Sequence, residues 1–232
     1  MKKSSFALSI ALAAAALFSV AGAAHAAPDL GALGFSAGVG STGVGAHVSY
    51  PIKPNLNARV GMNYLNYTYS GSSSQADYDF KMKLQTFDVL ADYFPMDNGF
   101  RLTGGLVYNG NKIDVSVKSN DTSAYVLNGN TYSAAQAGAI NGSIDFGKVA
   151  PYLGVGWGNA AAVKKGWGFT ADLGVMFQGS PKSSLSNSGC TAPSAFCDQL
   201  AADVAAEKGN LDSKLSNLNS YPVVRIGASY RF

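Results

Sequence analysis

The chain has 232 residues, of which 47% are hydrophobic, 11% aromatic and only 13% charged, with a formal net charge of +3. So low a charged fraction, about half the usual ~25%, argues against a disordered chain, and +3 is no electrostatic footprint for nucleic acid. After the first 26 residues no stretch supplies the ~20 apolar residues of a spanning helix, so the apolar side chains must be spread over one face of something else.

Lys2 and Lys3, the apolar run from Phe6 to Val20 and the small residues ending in Ala24-His25-Ala26 read as a secretory signal peptide over residues 1–26. One domain, residues 27–232, follows. Losing Lys2 and Lys3 leaves 15 basic against 14 acidic residues, a formal charge of +1.

From there the sequence alternates with period two. In chain order the strands are Leu33–Gly40, Val44–Tyr50, Leu56–Tyr64, Phe87–Phe94, Phe100–Asn109, Leu153–Gly158, Trp167–Gln178 and Val223–Phe232. One face of each is apolar. The other carries glycine, small polar residues and a few charges, which suits a crowded lumen. Tyr50, Tyr93, Phe100, Trp157, Trp167, Tyr230 and Phe232 gather beside the short connections. Tyr64, Phe80, Tyr108, Phe146 and Phe177 gather toward the other end. Two aromatic girdles around an apolar band mark an outer-membrane barrel.

Short connections near Lys53–Asn55, Met96–Gly99 and Asn159–Gly166 alternate with longer ones near Gly71–Asp77, Lys118–Asn141 and Ser183–Ser220. This places both termini on the periplasmic side. At about 9–11 residues per strand, eight strands fit and ten is the alternative. The alternation slips around Leu84–Phe87, Gly110–Ile113 and Phe146–Val149, as bulges or as strand extensions beyond the membrane. Ala195–Leu218 instead has helical spacing, with Gly209 expected to interrupt it, giving one or two short helices in the last outer loop. Beside it, Cys190 and Cys197 close a small loop if the compartment is oxidising. A metal site on two cysteines without a nearby histidine is the weaker reading.

Charges on the lipid face would cost about 2–4 kcal/mol for each Arg or Lys at the midplane. His47, Arg59, Asp88, Asp92, Arg101, Asp172, Arg225 and Arg231 are therefore lumen candidates, with Lys81 and Lys83 beside them near a phase slip. They make either a salt-bridged plug or a narrow polar path whose carboxylates attract a cationic solute. His47 has no sequence neighbours that complete a nucleophile–base–acid set, so no enzyme, metal or cofactor is expected.

Several stretches resemble the CarO family, the carbapenem-associated outer-membrane proteins proposed as ornithine and basic-amino-acid porins. They are Gly38-Val-Gly-Ser-Thr-Gly-Val-Gly45, Ala150-Pro-Tyr-Leu-Gly-Val-Gly-Trp157, Trp167-Gly-Phe-Thr-Ala-Asp-Leu-Gly174 and Gly179-Ser-Pro-Lys-Ser-Ser-Leu185. The Pro-Tyr-Leu-Gly-Val-Gly strand and the last strand also resemble OmpW-like barrels. Tyr230 and Phe232 resemble the terminal signal read by the barrel assembly machinery. The resemblance implies an all-β, eight-stranded antiparallel barrel in the outer membrane, a narrow channel for small cationic solutes such as basic amino acids. Its partners would be lipid and the assembly machinery, with a monomer favoured. The rival is a closed barrel that serves as a structural or surface-interaction protein. A folded barrel of this kind should migrate differently on a denaturing gel before and after boiling; a mainly helical circular-dichroism spectrum would refute the fold.

Overall fold

The computed structural model describes residues 32–72, 76–96, 98–119, 124–162 and 164–231. The expected signal peptide and Phe232 lie outside them. In chain order the strands are β1 (Gly34–Gly40), β2 (Gly43–Lys53), β3 (Leu56–Ser72), β4 (Ala76–Tyr93), β5 (Phe100–Asn109), β6 (Lys112–Ser119), β7 (Ala124–Leu127) and β8 (Asn130–Ser133). After the short helix α1 (Ala134–Ala137) come β9 (Ala139–Asp145), β10 (Val149–Trp157), β11 (Gly166–Phe177) and β12 (Lys182–Ser188). Helix α2 (Ser194–Leu215) and β13 (Ser220–Arg231) complete the chain.

Eight of these strands close a ring in the order β1-β2-β3-β4-β5-β10-β11-β13, with β13 pairing back onto β1 and every pair antiparallel. All eight strands expected from the alternation are in this ring. Strand geometry sends alternate side chains to opposite faces, and burial shows which face is which: Leu153 is 62% exposed and Arg59 4%. Val39, Val44, Met62, Val89, Leu106, Phe169, Leu173, Val224 and Ile226 belong to the same exposed apolar band. No helix is long and apolar enough to cross a membrane among the described residues.

At the long-loop end the ring opens into a second sheet. The upper halves of β3 and β4 continue and are joined by β6, β9 and β12. Two of the three apparent phase slips are no bulges. Thr86 faces Asn109 and Lys83 faces Lys112, so β5 and β6 keep one register along β4. Tyr108 faces Val149 and Lys112 faces Asp145, so β9 and β10 do the same. Along β3 and β4 pairing also runs unbroken from Leu56↔Tyr93 to Ser72↔Asp77. What changes is the chemistry of each face. Below Thr86 the inward face of β4 is polar and the outward face apolar. Above it the inward side carries Leu84, Met82 and Phe80, and the outward side Gln85, Lys83 and Lys81. Lys81 and Lys83 are therefore not lumen residues; both are exposed on the outer face. Phe80, expected in a girdle, is on the inward-continuing face. The register does shift between β11 and β12: from Tyr152↔Met176 to Asp145↔Lys182, seven residues pass on one side and six on the other.

A cap packs on the inward face of this upper sheet. Asn128 and Gly129, at φ of 49° and 82°, form the two-residue turn between β7 and β8, the backbone that Asn-Gly favours. The resulting hairpin, α1, β9 and α2 share a core of Leu127, Tyr132, Ala137, Ile140, Leu200 and Val204, joined by Tyr125, Leu185 and Phe196. Cys190 and Cys197 are disulfide-bonded at its edge. The segments expected as loops thus carry strands and a hairpin, and α2 runs through Gly209 as one helix. A helical glycine costs only about 1 kcal/mol, and two anchors hold the helix on either side of it. Asp203 accepts hydrogen bonds from the Asn128 and Asn130 amides (3.1 and 2.7 Å) and from the Tyr132 hydroxyl. Asp212 accepts the backbone N–H and the hydroxyl of Ser183 (2.7 and 2.6 Å) and pairs with Lys208 at 2.6 Å.

The Tyr132 hydroxyl and the two amides hold the Asp203 carboxyl well below the usual carboxylate range; Lys208 and Ser183 do the same for Asp212. A carboxylate lowered in the folded state contributes stability that is complete above its unfolded value of about 4 and lost as pH falls through the folded one. Hydrogen exchange of residues 124–133 should therefore be flat from pH 8 to 5 after correction for intrinsic rates, and quicken below about pH 4. Asp203→Asn should expose the hairpin at neutral pH already.

Candidate functional site: the barrel lumen

The inward positions of the ring bring the lumen candidates together in two groups. In the first, Arg59 on β3 donates from Nη1 and Nη2 to both carboxylate oxygens of Asp172 at 3.0 Å. It also contacts Asp92 through Nε at 2.9 Å and Nη2 at 3.0 Å. Asp92 is on the adjacent strand, whereas Asp172 is on β11, four places around the ring and so across the lumen. Arg101 of β5 adds a 2.9 Å bond to Asp172 and others to Thr170 and the Gly158 carbonyl. Thr103 donates to Asp92 at 2.6 Å.

The second group crosses the lumen between β4 and β13, again four places apart. Asp88 pairs with Arg225 at 2.9 Å and with Nε2 of His47 at 3.1 Å, and accepts the Asn63 amide at 3.0 Å. Arg225 donates from Nε to Thr42 at 3.1 Å, and its guanidinium lies 5.9 Å from the Tyr152 ring centre. All of these charged groups are less than a tenth exposed. Three carboxylates meet three guanidiniums, so the two groups are together neutral when His47 is neutral.

Arg231 belongs to neither. It donates to the carbonyls of Ala161 and Ala162. With the 2.8 Å bond from Asn57 to Asn159, it holds the β10–β11 turn against the inner wall at the short-turn end, where Ala161 is buried. Leu90, Val107, Ala150, Tyr152, Met176 and Val223 pack as an apolar cluster among the charges, with Leu90 between Asp88 and Asp92 on β4 and Val107 opposite Asp88. Beyond it Thr86, Asn109, Asn111 and Gln178 are buried where the wall bends into the upper sheet. Side chains thus occupy the lumen at each of these levels, as they can in the interior of an eight-stranded barrel. A cavity of about 20 Å³ beside His47, Arg59, Asp172 and Arg225 has room for one water.

The inner faces of β1, β2 and β13 leave room for these side chains by being small. Gly45, Gly38 and Gly227 lie side by side in the register. A Cβ on Gly227 would come within 2.3 Å of the Ala37 carbonyl oxygen. Among the described residues no three His, Cys, Asp or Glu side chains converge as metal ligands would.

No family model and no curated protein sequence matches the chain. Solved structures do. The Acinetobacter baumannii CarO crystal structure superposes with a TM-score of 0.55 at 24% identity, covering 86% of this chain and 97% of that one. The fold is the CarO fold. A second structure, Acinetobacter baumannii CarO2, gives a TM-score of 0.56 at 21% identity, with 86% and 98% covered. The architecture expected from the CarO-like stretches is the one found. At this identity the likeness to CarO concerns the fold, and the lumen has to be read from its own residues.

Asp172 is the shared partner of Arg59 and Arg101. Asp172→Asn would leave two buried guanidiniums short of an anion, a loss of about 3–5 kcal/mol by comparison with other broken buried pairs. The urea midpoint for unfolding of the reconstituted barrel measures it. A loss below about 1 kcal/mol, the scale of an exposed pair, would show that these charges are hydrated.

Proposed function

We propose that the chain is an outer-membrane barrel with a sealed lumen, and that it acts through the upper sheet and cap displayed at its long-loop end. The observation that carries this reading is the neutralised lumen. The exposed apolar band with aromatic residues at its ends, Trp167, Trp157 and Tyr93 at one end and Tyr64, Tyr108 and Phe177 at the other, supports membrane insertion. The same arrangement favours periplasmic termini and an outward-facing cap.

Permeation of basic amino acids, the function implied by the family resemblance, needs free carboxylates along an open path. Asp88, Asp92 and Asp172 are each committed to an arginine. The apolar cluster packs among them, and the β10–β11 turn lies at the short-turn end. Opening a path would require separating pairs that bridge the barrel across its full width.

The deciding experiment is solute flux. Liposomes carrying heat-modifiable, correctly folded protein should pass ornithine and arginine no faster than empty liposomes. Flux above that background which falls in Asp88→Asn would overturn the sealed barrel in favour of a cation path. Replacing residues 189–219 by a short turn should leave the heat-shifted folded band in place while removing α2 from the surface.

A further inference from the structure

The outward face of the upper sheet has no role in the lumen or the cap. Its lowest row, read across β4, β6, β9 and β12, is Lys83, Lys112, Asp145 and Lys182. Adjacent strands are about 4.8 Å apart, so the three lysines sit on one line roughly 14 Å long. Lys83 and Lys112 face each other directly, a like-charge cross-strand pair that is destabilising by itself. Lys112 leans on Asp114 at 3.0 Å, while Lys83 and Lys182 have no ion pair among the described residues.

The position of this row gives it meaning. Phe87, Tyr108 and Val149 share a row of the apolar band. The lysines stand four residues above it on β4, about 13 Å. Between them lie Gln85, Gly110 and Gly147, two of which have no side chain. Above the lysines the same face forms a groove of about 360 Å³. Ser116, Asn141, Ser143, Ser184 and Ser186 line it, with Asp79, Lys81 and Asp114 on the β4–β6 side. Moving away from the membrane, this face therefore presents an apolar surface, a cationic row and then a surface of hydroxyls, amides and carboxylates.

We infer that this face is a docking surface for the phosphorylated saccharide headgroup of an outer-leaflet glycolipid. Its acyl chains lie along the apolar band. Its phosphates offset the repulsion between Lys83 and Lys112 and also meet Lys182, across from Asp145. Its sugar hydroxyls meet the serines and Asn141 of the groove. The inference rests on the outer-membrane reading above, and charge complementarity together with continuity from the apolar band selects this occupant.

The test uses the mature chain inserted in bilayers of zwitterionic phospholipid, titrated with deep-rough lipopolysaccharide or with the same material after enzymatic removal of its phosphates. Binding is read from the temperature at which the folded gel band converts. The wild-type protein should bind the phosphorylated form at least about tenfold more tightly than the dephosphorylated one, since three phosphate–lysine contacts are lost. The Lys83→Gln, Lys112→Gln, Lys182→Gln triple variant should lose that preference, and Lys53→Gln at the other end should keep it. Insertion of both proteins with no preference in the wild type, or with an equal preference in the triple variant, overturns the docking surface alone. Failure of the wild type to insert overturns the membrane reading and the docking surface with it.

Discussion

Arg59 holds two carboxylates at once, Asp92 from the neighbouring strand and Asp172 from the far side of the ring. A strand in this wall has no neutral place for a charge: outward lies the apolar band, inward a space that side chains fill. A guanidinium sent inward must be met by an anion, because an unpaired buried charge costs several kcal/mol. The fork of Arg suits such a role, since it can bridge two acceptors in a fixed plane. Asp88 and Arg225 make a second strut at a different angle. Other features follow from these struts. The glycines of β1, β2 and β13 give them room, and the apolar cluster packs among them.

Above the last lumen row the same strands meet the reverse problem. The outer face turns polar there, and the inside becomes the floor of a small hydrophobic core. The chain answers by exchanging the polarity of its faces while holding its backbone register, most clearly along β3 and β4. That exchange lets one continuous sheet be a barrel wall with an apolar outside at one end and the floor of an α/β cap at the other. The cap core needs the carboxylate anchors Asp203 and Asp212, because α2 meets the sheet along only part of its apolar face.

The strands of the ring were legible in the sequence because their outer face carries almost only apolar side chains, so their period-two pattern is nearly free of exceptions. The lumen residues were legible for the same reason, as charges that the outer face could not carry. The contacts among them were not: Arg59 and Asp172 are 113 residues apart, and their meeting depends on which strands stand opposite in the closed ring. The polarity exchange looked like a slip of phase at Leu84–Phe87 and at Gly110–Ile113, because alternation was judged by polarity alone. It misplaced Lys81 and Lys83. The register shift that does occur has its extra residue between Asp145 and Tyr152, opposite the passage from β11 to β12, and so falls on the third slip, at Phe146–Val149. The Asn128-Gly129 pair was a signal for the β7–β8 hairpin inside what otherwise read as a polar loop.

Closure of the ring by β1 and β13 has a kinetic side. These strands lie at opposite ends of the folded chain, and their pairing encloses all the loops between them. Loop-closure entropy makes such non-local contacts late and slow. Until they pair, β1 and β13 each present an open edge, the kind of template on which strands of another chain can add. The Gly38↔Gly227 pair sits in the middle of this seam, where no side chain stands in the way of two backbones meeting. The smallest residues in the wall thus lie where a slow joining step has the least time to wait for a rotamer.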